Sequence, residues 1–97
     1  MSLTDLTETV RGKVANSSIS SIIKFDLGET GVIRIDGSQK PPAVDNEDGD
    51  ADCTIKVSLD DFRDIMDGSQ NAQMAFMMGK LKVEGDMGAA MQLAGAL

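Results

Sequence analysis

Asp48, Asp50 and Asp52, at alternate positions in DGDADC, begin as a calcium-binding loop begins. The pattern then fails. Such a loop needs glycine at its sixth position and glutamate at its twelfth, where Cys53 and Leu59 stand, and Ile55, Val57 and Leu59 alternate as a strand does. A solvated acidic loop is expected there, with no metal site. Asp60 and Asp61 form a carboxylate pair, and they read as charges at a helix N-terminus, stabilised by the helix dipole. The chain has no histidine and a single cysteine, which removes triad hydrolysis and leaves zinc almost nothing to bind. Its glycines have neither Walker nor dinucleotide-binding spacing. Nothing in the residue types supports an enzyme or a bound cofactor. Lys80 and Lys82 have two readings, as solvated strand residues or as partners of an anionic headgroup at a rim.

With 97 residues the chain is expected to be one domain, 1–97, with one core. A net charge of −7 and scattered basic residues argue against nucleic acid, whose phosphates need a basic stripe. The same acidity disfavours residence on an anionic membrane while leaving transient membrane contact open. No secretory leader opens the sequence, no apolar run approaches a membrane span, and the lone Cys53 makes no internal disulfide. The expected location is therefore cytoplasmic.

The elements that must carry any site follow from periodicity. Leu3, Leu6, Val10 and Val14 share one helical face behind a Ser2/Asp5 capping box. Ile23, Phe25 and Leu27, then Ile33 and Ile35 across GETG, alternate as a hairpin that Asp36-Gly37 closes. Ser38 to Asp50 reads as a loop with at most a short edge strand at 42–44. A strand carrying Ile55, Val57 and Leu59 leads into a helix capped by Ser58, with Leu59, Phe62, Ile65 and Met66 on its apolar face and Gly68 ending it. A short helix over 71–78, a strand over 80–84 with Leu81 and Val83 inward, and a last helix from Asp86 to Leu97 complete the order. Such mixing predicts an α+β fold, a mainly antiparallel sheet covered by helices on one face.

Five of the seven methionines fall between Met74 and Met91. In the helix 71–78, Ala72, Ala75 and Phe76 make one face and Met74, Met77 and Met78 the other, with no charge between Gly68 and Gly79. A helix apolar on both sides needs cover on both sides. Met87, Ala90, Met91, Ala94 and Leu97 give the last helix an apolar face as well. Residue types alone leave two readings open, plain core filling or an adaptable wall around an apolar ligand.

The run AFMMGKLKVEGDMGAAMQL, Ala75 to Leu93, closely resembles the C-terminal signature of the sterol carrier protein family: Ala-Phe, a Gly-Lys-Leu-Lys strand, Gly-Asp, then a Met-Gly-x-x-Met-x-Leu helix. DCTIKVSLDDF, Asp52 to Phe62, is similar to the family's preceding strand and helix start. The resemblance implies a five-stranded sheet with a hydrophobic tunnel between sheet and helices. It also implies non-catalytic binding, and with it transfer, of fatty acid, fatty acyl-CoA, sterol or phospholipid. The expected lining is Phe25, Ile33, Ile35, Phe62, Met66, Met74, Met77, Met78, Met87 and Met91. Many members have a longer N-terminal helical region, continue beyond the position of Leu97, or carry a peroxisomal targeting ending. The tunnel here is accordingly expected to be shallower, open at one end, or completed in a homodimer. The rival reading, from another class, is an interaction or dimerisation module that docks through its apolar C-terminal helix.

Overall fold

The computed structural model describes residues 2–17 and 19–96. Helix α1, Leu3–Val14, starts at a reciprocal cap. Asp5 N–H donates to Ser2 Oγ at 3.2 Å, and Ser2 N–H donates to Asp5 Oδ2 at 3.3 Å, so two N-terminal donors that the helix leaves unpaired are satisfied. Of its apolar stripe, Leu6, Val10 and Val14 are wholly buried and Leu3 is partly buried.

Strands β1, Ile22–Asp26, and β2, Val32–Asp36, form the expected hairpin around a 3₁₀ turn at Gly28–Thr30. Ile23 lies opposite Ile35 and Phe25 opposite Ile33, so one face of the pair is continuously apolar. Strand β3, Ala43–Asp45, adds to the outer edge of β2, one residue later than the edge strand expected at 42–44. Arg11 fixes α1 over that edge by donating from Nη2 to the Val44 carbonyl at 2.7 Å.

Strand β4, Cys53–Lys56, lies beside β1 in parallel, Ile23 level with Cys53 and Phe25 with Ile55. Strand β5, Lys82–Gly85, pairs antiparallel with β4 and closes the order β3-β2-β1-β4-β5. Three of the four pairings are antiparallel, so the five-stranded sheet is mixed rather than purely antiparallel.

The acidic loop explains the parallel step. A chain leaving β3 at one edge must cross the sheet before entering β4, and it does so over Lys24 and Arg34, cross-strand partners on β1 and β2. Lys24 Nζ meets Asp48 Oδ1 at 2.7 Å, and Arg34 Nε donates to the Asp50 carbonyl at 3.1 Å. Asp52 exchanges bonds with Ile22: its N–H donates to the Ile22 carbonyl at 2.8 Å, and its Oδ2 accepts from Ile22 N–H at 2.9 Å. The three aspartates of this loop thus make separate contacts, Asp48 through its carboxylate, Asp50 through its carbonyl and Asp52 through both side chain and backbone.

Helix α2, Leu59–Asp67, is capped by Ser58, whose Oγ accepts from Asp61 N–H at 3.1 Å. Leu59, where the strand alternation runs into the apolar face of the helix, is the first residue of α2 and half-buried. Gly68 ends α2 at φ 86°, a left-handed conformation that suits glycine. Helix α3, Ala72–Met77, is capped by Asn71 Oδ1, which accepts from Gln73 and Met74 N–H at 2.8 and 3.2 Å. Helix α4, Met87–Ala96, begins at Asp86, whose Oδ1 accepts from Gly88 and Ala89 N–H at 2.9 and 3.3 Å. Leu97, expected on the apolar face of that helix, lies outside the described residues. Between β5 and α4, Gly85 has φ 101°, and a Cβ there would stand 2.4 Å from the Asp52 carbonyl oxygen.

Helix α4 packs on β1, β4 and β5, while α1 packs on β3, α2 and α4. Phe25 of the sheet meets Phe62 of α2 with ring centroids 4.8 Å apart at 54°, a tilted contact favourable for aromatic pairs.

Candidate functional site

Beyond the Phe25–Phe62 contact the space between sheet and helices is not filled. Phe25, Ile55, Leu81 and Val83 form its sheet side, Phe62 and Ile65 come from α2, and Ala72, Gln73, Phe76 and Met77 from the α3 turn. Met87, Ala90, Met91, Leu93 and Ala94 of α4 complete a chamber of about 280 Å³. Its origin is a deficit of side-chain volume. Ala72, Ala90 and Ala94 stand where branched residues would reach the sheet, and the methionines beside them are flexible enough to lie along the opening.

Four large apolar wall residues are exposed to solvent: Phe76 is 36% exposed, Met77 80%, Met87 45% and Met91 52%. They mark the mouth of the chamber. Together with Met74 and Met78 they are all the large hydrophobic side chains exposed among the described residues. Exposed apolar surface is thus concentrated around one opening.

Gln73 is the only polar side chain in the lining, and no carboxylate or ammonium group reaches it. The wall therefore offers burial and dispersion contacts with one hydrogen-bonding amide, and no acid, base or nucleophile. Cys53 lies in the packed core, outside the lining. Burial, reinforced by Asp86 and Asp52, pushes its thiol above the ordinary value, which keeps it protonated and unreactive.

Of the residues expected to line a tunnel, Phe25, Phe62, Met77, Met87 and Met91 meet around the chamber. Ile33 and Ile35 do not, because β2 lies on the far side of β1 from β4 and β5, and both are fully buried in the core. Met66 is also a core residue, 4% exposed. Met74 and Met78 stand outside the lining. At 100° per residue, Ala72, Phe76, Gln73 and Met77 occupy one continuous arc of α3, and the next arc, carrying Met74 and Met78, faces water. Of the face made by Ala72, Ala75 and Phe76, Ala72 and Phe76 line the chamber and Ala75 is fully buried. The lining residues outside the expected set are Ile55, Ile65, Gln73, Phe76, Leu81, Val83 and Leu93, together with the alanines Ala72, Ala90 and Ala94; of these the alanines create the space. Their signal was the spacing of Ala90 and Ala94, one turn apart on a helix already read as apolar.

A small α+β layer with an apolar chamber and an apolar mouth between sheet and helices is the architecture of a lipid-binding domain. This chain belongs to the SCP-2 sterol transfer family, whose model matches residues 3–97. Human sterol carrier protein 2 is 48% identical over 54 residues, 56% of this chain. This chain spans only 10% of that relative's length. The crystal structure of sterol carrier protein 2 like 2 from Aedes aegypti superposes with a TM-score of 0.79 at 21% identity, covering 98% of this chain and 95% of that one. The solution structure of the palmitated form of that mosquito protein gives 0.78 at 23% identity, covering 98% and 93%. These two likenesses concern the fold.

Proposed function

We propose that this domain takes one long acyl chain, or a similarly slender apolar molecule, into the α2–α4 chamber and releases it at another lipid-bearing surface. The carrying observation is the chamber itself, about 280 Å³ with Gln73 as its sole polar side chain. That volume is near the lower edge of ordinary small-molecule sites and fits a chain better than a bulky ligand. Each methylene taken from water contributes about 0.8 kcal/mol before the entropy of ordering is subtracted. The palmitated mosquito relative supports a fatty acid as the first ligand to try.

The domain, residues 1–97 as one unit, carries its ligand without altering it, in the cytoplasm. Release needs contact with a lipid surface, and the exposed rim of Phe76, Met77, Met87 and Met91 is the face suited to brief membrane contact. A homodimer through the same face would close the mouth. No helix of the described residues is long and apolar enough to cross a membrane. An acyl-chain fluorophore should brighten on binding, and palmitate should displace it. The reading fails if binding at micromolar protein is neither saturable nor competed.

A further inference from the structure

Five of the chain's seven methionines lie in α3, at its C-cap or in α4, and all five are open to solvent: Met74 is 56% exposed, Met77 80%, Met78 63%, Met87 45% and Met91 52%. Met66, by contrast, is 4% exposed and packs in the core. The chain's one thiol, Cys53, is buried too. Among the described residues, the sulfur that solvent reaches is therefore thioether sulfur, gathered in one place. An accessible thioether is open to oxidation by a peroxide to the sulfoxide, a change that is reversible.

These five divide in a way that matters. Met77, Met87 and Met91 line the chamber, and Met74 and Met78 do not. Met87 and Met91 stand one turn apart on α4 and share a face. Oxidation turns a flexible apolar side chain into a polar one carrying a hydrogen-bond acceptor. The lining holds one carboxamide, Gln73, which cannot serve three such oxygens. A sulfoxide left without a donor must turn to water or remain buried and unpaired, and in either case the mouth ceases to be apolar.

We propose that Met77, Met87 and Met91 form an oxidation site through which a peroxide empties the chamber, and that a bound acyl chain, by covering the three sulfurs, slows their oxidation. The step is a two-electron oxygen transfer. The sulfur bonds to one peroxide oxygen as the O–O bond breaks, and the proton ends on the other oxygen, so the thioether is oxidised and the peroxide reduced. Hydrogen peroxide leaves as water, and an organic hydroperoxide as its alcohol. The proposal rests on the acyl-chain reading above and adds a reversible control to the same chamber.

The test treats the full chain with hydrogen peroxide, with and without saturating palmitate. Each sulfoxide is followed by peptide mass mapping, and acyl-chain fluorophore binding and circular dichroism are read on the same samples. Without palmitate the five exposed methionines should oxidise at least about tenfold faster than Met66. Palmitate should slow Met77, Met87 and Met91 and leave Met74 and Met78 unchanged. Affinity for the probe should fall about tenfold or more as the lining sulfoxides accumulate, and should return after treatment with methionine sulfoxide reductases for both epimers. Met74→Leu/Met78→Leu, which alters nothing in the lining, should lose affinity under peroxide as the unaltered protein does. Met77→Leu/Met87→Leu/Met91→Leu, whatever its starting affinity, should not respond to peroxide.

Undiminished affinity with the three lining sites oxidised would overturn the proposal, as would a full response in the triple variant. So would equal slowing of all five sites by palmitate, or a loss of affinity that circular dichroism shows to be unfolding. A probe that binds and ignores oxidation removes this proposal alone. A probe that does not bind before any peroxide is added removes the acyl-chain reading, and this proposal with it.

Discussion

The half of the molecule built on α1, β1, β2 and β3 and the half built on β5, α3 and α4 share one sheet and one apolar composition, yet they end differently. In the first, Leu6, Val10, Val14, Ile23, Ile33 and Ile35 are all at 0% exposure. In the second, Leu81 and Val83 are only partly buried, and Phe76, Met77, Met87 and Met91 reach water. Side-chain shape accounts for the contrast. Branched side chains have few rotamers and interlock to crystal-like density across a hairpin and a helix. Alanine is too short to cross from a helix to the sheet, and methionine fills irregular space loosely. A domain this small has little core to spare, so one half holds the fold while the other holds the space.

The largest effect should separate the halves by stability. Ile35→Ala should cost about 2–5 kcal/mol, the range for truncating a packed aliphatic residue. Met77→Ala, at a side chain 80% exposed, should stay within about 0.5 kcal/mol. Urea midpoints at constant slope measure both. Equal losses would mean that α3 is packed as tightly as β2, and the contrast would fail.

A smaller effect on stability, with a larger one on binding, should divide the methionines themselves. Met91→Asp places a carboxylate at the mouth, where a side chain 52% exposed can turn it to water. The variant should fold yet bind the acyl-chain probe at least about tenfold more weakly, because a charge at the rim opposes burial of the chain. Met78→Asp, outside the lining and 63% exposed, should fold and keep binding within about twofold, a change worth under about 0.5 kcal/mol. Circular dichroism and probe binding on the same samples decide. Unfolding of Met91→Asp would place that side chain in a filled core, and unchanged binding would remove it from the wall.

How legible this was depends on the range of the interactions. Local signals gave good guidance: Ser2, Ser58 and Asp86 cap helices, Gly68 ends one, and the alternation of Ile23 and Phe25 with Ile33 and Ile35 made the hairpin. The parallel pairing of β1 with β4 was not legible. It depends on Asp48 and Asp50 meeting Lys24 and Arg34 across the sheet, contacts that have no period in the sequence. The Met74–Met91 segment was legible as apolar and as family signature, but apolarity does not specify rotation about a helix axis. The difference between Met77, which lines the chamber, and Met78, which does not, is one step along the chain at the end of α3, and the packing of Ala72 and Ala75 fixes it. Ile33, Ile35 and Met66 have equally apolar side chains, and sheet order, not residue type, sets them in the packed part.

The smallest expected effect uses a device that occurs in both halves. Asp36-Gly37-Ser38 closes β2, and Asp67-Gly68-Ser69 closes α2 on the way to α3. In each, the serine hydroxyl beside the carboxylate and the serine N–H, which donates to it at 2.9 Å in the first turn and 2.8 Å in the second, hold the aspartate's pKa below the ordinary carboxylate value. A folded-state pKa below the unfolded one gives a stabilising contribution that is fully present above the unfolded value, about 3.9, and is lost as pH falls through the folded value. Ser38→Ala and Ser69→Ala should each raise the pKa of their own aspartate, and each should lower stability slightly at neutral pH by an amount that vanishes in acid. Carboxyl titrations by NMR read both sites in one experiment. Two depressed values mean that the contrast between the halves is confined to how side chains fill space, with backbone turns equally formed in each. If Asp36 is depressed while Asp67 titrates normally, the turn that carries α3 is open in solution, and the looser half is loose in its backbone as well.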